Sequence, residues 1–180
     1  MHYKVIVIIE KPDPDAPFLP AVESAVEHKL RRFGDGAEWD WYQIGGRYTG
    51  GFDGYDPDAD ARNMEKCWLC GGTGDRASWR GEPKANQHPT GCNGCAGKGF
   101  AVTWPTQWPT RPEDVMPVAQ MTDEQLKTFA VVVSGDWFGR ERYEPWREYG
   151  EAFQAQSMPT LEWLKREYGD HLAVIVDCHN

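Results

Sequence analysis

An α+β fold is what the sequence predicts, and three observations carry the expectation. The runs His2-Tyr3-Lys4-Val5-Ile6-Val7-Ile8-Ile9 and Leu172-Ala173-Val174-Ile175-Val176-Asp177 have the β-branched composition of buried strands. Two segments between them place apolar residues at helical spacing. In the middle, four cysteines in two C-x-x-C pairs stand among glycines, the pattern of a metal-bound module and not of a sheet or helix.

Taken in order, the first strand is followed by Pro12, Pro14 and Pro17, which force an extended connection. From Pro20 to Phe33 the apolar residues Val22, Ala25, Val26, Leu30 and Phe33 make a helical stripe that stops at Gly34. Trp39 to Ile44 reads as a second strand ending at Gly45-Gly46. Residues 50 to 66 are turn-rich and acidic. Asp56, Asp58 and Asp60 are spaced like the start of a calcium loop, but Ala61 stands where that loop needs glycine and Cys67 where it needs glutamate, so the segment reads as a solvated linker.

Trp104 to Pro117 is punctuated by proline and reads as irregular. Thr122-Asp123-Glu124-Gln125 has the outline of a capping box opening a short helix. Phe129 to Val133 is a further strand, and Ser134-Gly135 turns it into Asp136-Trp137-Phe138. Residues 139 to 156 are mixed in charge and read as surface. Thr160 to Tyr168 is helical, with Leu161, Leu164 and Tyr168 on one face and Gly169 as the stop. The order β-α-β-insert-β-α-β is that of a ferredoxin-like split βαβ sheet, here with an inserted zinc-knuckle module. The expected division is a core domain from residues 1–60 and 101–180 and a metal-binding module over 61–100.

The formal net charge of -9 over 180 residues argues against non-specific binding to duplex DNA, which requires phosphate-neutralising Lys and Arg. It permits engagement of a basic protein surface. The apolar run Val5 to Ile9 falls far short of the roughly 20 residues that span a bilayer, and no small-residue cleavage site follows it. The expectation is a cytoplasmic protein without membrane contact, in which paired cysteines are metal ligands before they are disulfides.

Cys67-Trp68-Leu69-Cys70-Gly71-Gly72-Thr73-Gly74 and Cys92-Asn93-Gly94-Cys95-Ala96-Gly97-Lys98-Gly99 both match C-x-x-C-x-G-x-G. Two cysteines at this spacing put both sulfurs on one side of a tight turn, and the glycines let backbone amides face the thiolates. Two such knuckles give the closed tetrahedral set of structural zinc, so one structural Zn2+ held by Cys67, Cys70, Cys92 and Cys95 is expected. A redox pair would need a C-x-x-C at a helix start after a strand, which the glycines fit poorly. Iron–sulfur ligation stays an alternative. His88, between the knuckles, reads as a loop residue. Arg76, Trp79, Arg80 and Lys84 in the same loop read either as solvated or as a nucleic-acid contact. The repeats resemble the cysteine-rich zinc domain of DnaJ co-chaperones, which carries four such repeats and two zinc ions. The resemblance covers residues 67 to 99 and implies the metal fold, not co-chaperone activity.

Two further stretches are candidate sites. In Trp39-Asp40-Trp41-Tyr42-Gln43-Ile44-Gly45-Gly46-Arg47-Tyr48-Thr49-Gly50-Gly51, strand alternation groups Trp39 with Trp41 and Asp40 with Tyr42. Either the tryptophans fill the core and the glycines make a structural bend, or Asp40, Tyr42 and Arg47 line a pocket in which Arg47 offers a fork to an anion. In Asp177-Cys178-His179, Asp177 and His179 share a face while Cys178 points away into packing. That argues against a Cys–His nucleophile and leaves Asp177 and His179 as binding or acid–base candidates. The W-D-W-Y-x-I-G-G-R string, the apolar first strand and the closing V-D-C-H resemble a group of small bacteriophage-encoded proteins, with Tyr48 here where a tryptophan is expected.

That resemblance implies an accessory role: a non-catalytic protein that binds and modulates a host protein or machine in the bacterial cytoplasm. Gln125, Leu126 and Phe129 have the Q-L-x-x-F outline of peptides that bind bacterial sliding clamps. The alternative is an enzyme or binder acting on a nucleotide or nucleic acid through Asp40, Arg47 and His179, with Arg47 holding phosphate.

Overall fold

The computed structural model describes residues 1–34, 39–56, 59–75, 91–105, 108–139 and 157–179. The chain divides into two compact units, one formed by Met1–Tyr55 with Pro109–Asn180 and the other by Asp56–Trp108.

The first unit is a mostly sheet α+β body. Its elements are β1 (His2–Ile9), α1 (Phe18–Leu30, continued by a 3-10 turn Arg31–Phe33) and β2 (Trp41–Ile44). The second unit supplies β3 (Met64–Lys66) and β4 (Phe100–Val102). The first unit then resumes with β5 (Val115–Pro117), β6 (Ala130–Val133), β7 (Asp136–Gly139), α2 (Leu161–Tyr168) and β8 (Leu172–His179).

The main sheet runs β2-β8-β1-β6-β7, with β5 also pairing with β8. β1 lies antiparallel to β8 along its whole length, from His2↔His179 to Ile9↔Leu172. The other edge of β8 is shared: β2 takes Val176 to His179 and β5 takes Leu172 to Val174. β1 and β6 are parallel neighbours, in register from Val5↔Ala130 to Val7↔Val132.

This order differs from the split βαβ sheet expected. β1 and β2 are parallel with one strand between them, as a split βαβ unit requires, but that strand is β8, where the ferredoxin-like order would put β6, and β6 instead lies parallel beside β1 on its other edge. Burial explains the placement. β6 is buried at every position and β8 at all but its last, so both need cover on two faces. β2 buries only Ile44 and belongs at the periphery.

Two apolar layers clothe the sheet. Val5, Val7, Ile9, Val132, Val174, Val176 and Cys178 share one layer with Val22, Val26, Leu30 and Phe33 from α1 and its extension. Ile6, Ile8, Val131, Val133, Ala173 and Ile175 form the other with Leu164 of α2, Phe52, Val118 and Met121. Each fully buried aliphatic side chain stabilises by roughly 1.5–3 kcal/mol relative to exposure, so these layers dominate the energetics. α2 begins as expected, with the Thr160 hydroxyl accepting the Trp163 N–H at 3.2 Å.

Three local expectations are revised. The proline-punctuated segment contains β5, which a three-residue strand ending in proline does not advertise. At Thr122 both halves of the capping box form, with the Thr122 N–H on Gln125 Oε1 at 2.9 Å and the Gln125 N–H on Thr122 Oγ1 at 3.4 Å. They close a turn and not a helix. β2 begins at Trp41, so Trp39 and Asp40 precede the strand. The surface segment expected after Gly139, and Asp58, lie outside the described residues.

In the second unit β3 and β4 pair antiparallel, from Met64↔Val102 to Lys66↔Phe100. Asp60 caps the short turn before β3 by accepting the Arg62 N–H at 2.8 Å, which is a structural use of an acid from the calcium-like run. Among the described residues no helix is long and apolar enough to cross a membrane.

Candidate functional site

Cys67, Cys70, Cys92 and Cys95 are buried together with their sulfurs all within 4.8 Å of one another. The Sγ–Sγ distances are 3.8 Å for Cys67–Cys92 and 3.8 Å for Cys70–Cys95. Four thiolates at a zinc–sulfur bond of about 2.3 Å form a tetrahedron with edges of about 3.8 Å, so the set fits a single tetrahedral ion. Sulfurs this close suit one metal ion, whereas an iron–sulfur cluster would hold them further apart. Neither C-x-x-C opens a helix, which removes the arrangement that a redox dithiol requires.

The glycines act as the repeats imply. The Gly74 N–H donates to Cys70 Sγ at 3.3 Å and the Gly99 N–H to Cys95 Sγ at 3.2 Å. Both glycines have positive φ, and a Cβ on Gly74 would lie 2.3 Å from the Gly97 carbonyl oxygen. At Cys70, burial opposes ionisation, but the amides of Gly74 and Gly72 and the neighbouring thiols outweigh it and draw its pKa to about 7. A thiolate ready to form at neutral pH suits a metal ligand. Arg76, Trp79, Arg80, Lys84 and His88 lie outside the described residues.

The second constellation occupies one end of the main sheet. Register places His2, His179 and Trp41 side by side across three strands, and Lys4, Asp177 and Gln43 in the adjacent row on the same face. Two residues further along, this face is the apolar layer of Ile6 and Ile175. The sheet therefore changes from oily to polar within one step of the alternation.

Asp177 is fully buried and bound on both oxygens. Its Oδ1 lies 2.9 Å from His2 Nδ1, and its Oδ2 accepts the Arg47 backbone N–H at 3.0 Å. Asp40, just before β2, pairs its Oδ1 with His179 Nδ1 at 3.0 Å, and its backbone N–H donates to the His179 carbonyl at 2.9 Å. The His179 hydrogen bond holds the Asp40 carboxyl below the ordinary aspartate value. Two carboxylate–imidazole pairs thus meet, with the His2 and His179 rings 4.8 Å apart and Trp41 against both at 5.8 and 6.2 Å. In each pair Nδ1 is engaged by the carboxylate, which leaves Nε2 for a ligand.

The glycine corner makes this possible. Gly45 and Gly46 have φ of +71° and +54°, and a Cβ on either would collide with a buried carboxylate, Asp114 at Gly45 and Asp177 at Gly46. Asp114 accepts the Thr49 hydroxyl at 2.6 Å and the Gly50 N–H at 2.9 Å. Burial raises its pKa, against the pull of those two donors and of Arg111. The loop is therefore fastened at both ends to acids beneath it, and the Arg47 side chain is left exposed.

Asp40, Asp177 and His179 come together by their side chains and Arg47 by its backbone N–H, and so do the two stretches that contain them. Tyr42 does not join them. It faces the α1 layer beside Cys178, with its ring 4.9 Å from Trp39, so Trp39 and Trp41 lie on opposite sides. The expected grouping of Trp39 with Trp41 assumed that the strand began two residues earlier. Cys178 is buried in that layer, where burial and then the Asp177 charge push its thiol pKa up, as packing requires of an inert cysteine. Two residues of the site escaped sequence reasoning, His2 and Asp114. For His2 the signal was present: His2 and Lys4 are polar residues two apart in an otherwise apolar strand.

Gln125, Leu126 and Phe129 serve the fold. Gln125 caps its turn and donates to the Phe52 carbonyl, Leu126 packs in the α2 layer, and the Phe129 ring lies 4.6 Å from that of Tyr3. No family model, curated protein or solved structure matches the chain, and the site rests on its own residues.

Proposed function

We propose that the protein acts on a phosphate ester, a nucleotide or nucleic acid, at the polar end of its sheet. The reading rests on one observation: two carboxylate-oriented imidazoles meet edge to face with ring centroids 4.8 Å apart. Such a pair can serve hydrolysis. One imidazole takes a proton from water as its oxygen bonds to phosphorus, and the other gives its proton to the departing ester oxygen as that P–O bond breaks. Proton exchange with solvent restores both. The exposed Arg47 guanidinium is suited to the phosphate oxygens. The test is hydrolysis of phosphodiester and phosphomonoester reporters by the metal-loaded protein. Loss of roughly a hundredfold or more in kcat for both His2→Ala and His179→Ala is expected. Unchanged rates in either variant would overturn the acid–base assignment.

The thiolate module is the place of a single structural Zn2+, in a DnaJ-like knuckle. It would hold the second unit together and take no part in the chemistry.

A second reading, a phage-type accessory protein that binds a host protein in the bacterial cytoplasm, has support of its own. The second unit exposes Trp68, Phe100, Val102, Met64 and Trp104. Met64, Phe100 and Val102 also border a groove of about 550 Å³ beside Cys95. Capture of one stoichiometric host protein from lysate, lost in Phe100→Ser with Val102→Ser, is the outcome this reading expects. Capture unaffected by that double variant would remove it.

A further inference from the structure

The dyads adjoin a cleft. It has a volume of about 670 Å³ and is lined by His2, Lys4, Tyr48, Lys127, Thr128 and aromatic neighbours, with no carboxylate among the described residues that line it. His2 belongs to both places: it lines this cleft, and its ring meets those of His179 and Trp41 edge-on. Lys4 is half-buried, and burial lowers its pKa against the opposing charge of Glu124. Its ammonium makes one hydrogen bond, to the Gln125 carbonyl at 3.3 Å, leaving two donors without an acceptor among the described residues. A partly dehydrated ammonium with spare donors favours an anion, because the charge-assisted bonds it gains replace water it has already lost. Lys127, at the rim, is paired with Glu124 and remains largely exposed.

Trp41 supplies a different chemistry. Among the described residues it belongs to neither apolar layer, and the rings it meets are those of the two histidines. A ligand that crosses His2 therefore meets cations on one side and aromatic surface on the other, the pairing that binds a phosphate joined to a nucleobase. The net charge of -9 selects the size of that ligand. A polynucleotide would bring further phosphates against an acidic protein, whereas one ester needs only the local cations.

We propose that the ligand of this site is a mononucleotide, with its phosphate in the Lys4–His2–Lys127 cleft and its base against Trp41. This rests on the phosphate-ester reading above for the class of ligand, and places the bound monoester beside His2 and outside the contact between the two imidazoles.

Titration calorimetry on the metal-loaded full-length protein with adenosine 5′-monophosphate, inorganic phosphate and a twelve-residue single-stranded DNA tests it. The mononucleotide should bind more tightly than phosphate and more tightly than the oligonucleotide. Lys4→Met, which keeps the aliphatic stem in the strand, should weaken the mononucleotide and phosphate alike by about tenfold, the value of one charge-assisted hydrogen bond. Trp41→Ala should weaken the mononucleotide alone. An oligonucleotide that binds at least as tightly, or a Trp41→Ala protein that keeps full mononucleotide affinity, overturns the inference. The two proposals separate cleanly: mononucleotide binding without turnover leaves this one standing and sinks the acid–base role, and turnover of simple diesters without mononucleotide preference does the reverse.

Discussion

Gly46 is packed onto Asp177 so closely that a Cβ on the glycine would lie 2.6 Å from the aspartate Cβ and 2.7 Å from its Oδ2. The contact explains why the corner carries no side chain there. The same approach that excludes a Cβ lets the next amide, that of Arg47, reach the buried carboxylate.

Gly46→Ala should therefore cost about 2–4 kcal/mol, from positive φ and overpacking together, and should reduce any turnover with it. Gly54 is the control. Its φ is +76°, but nothing lies within 4 Å of its Cβ position, so Gly54→Ala should cost only about 1 kcal/mol of backbone strain. Equilibrium urea unfolding of the two variants checks the difference, and equal costs would contradict the packing described.

Asp40 should titrate below the ordinary 3.8 because its carboxylate is hydrogen-bonded by His179. A folded pKa below the unfolded one means that the pairing contributes stability above pH 3.8 and loses it as pH falls through the folded value. Carbon-13 NMR of the side-chain carboxyl should show the depressed midpoint, and His179→Ala should return it upward. A midpoint that ignores the His179 substitution would dissolve the dyad.

Metal analysis of the purified protein should find about one zinc per chain, as four thiolates can saturate only one tetrahedral ion. Cys92→Ser should bring this well below one. Because such sites supply the folding energy of small modules, chelation should open residues 56–108 to protease while the tryptophan near-ultraviolet signal of the sheet persists. Full zinc content in Cys92→Ser would contradict the ligand set.

Cys178 should resist alkylation in the native protein, since burial and Asp177 both oppose its thiolate. It should react once the chain is unfolded in denaturant. Mass spectrometry of iodoacetamide-treated samples distinguishes the two states, and rapid native labelling at Cys178 would show that the α1 layer is open there.

Parts of this were legible because local chemistry decides them. The β-branched runs of β1 and β8, the apolar stripe of α1, the Thr160-capped α2 and the Ser134-Gly135 turn lie where pattern and turn residues put them. The four cysteines were legible from spacing alone. The sheet order was not, because pairing depends on which strands most need two covered faces, and the sequence of Trp39–Ile44 does not say that three of its four strand residues stay partly exposed. The site was half legible. Asp40, Arg47, Asp177 and His179 stand in unusual strings, but the role of His2 depends on a register that joins opposite ends of the chain, and Asp114 serves a loop 64 positions away.

That register has a consequence for synthesis. His2 and Asp177 are separated by 175 positions, and β1, which is made before every strand it pairs with, has among the described residues its partners in β6 and β8. Until those strands are translated, an apolar ribbon with two open edges waits in the nascent chain, the condition under which unpaired strands find wrong partners. So non-local a topology also closes slowly. The paired-histidine face can form only after the β8 strand has docked, and a chain interrupted before it would hold all four clustered cysteines yet lack the carboxylate that orients His2.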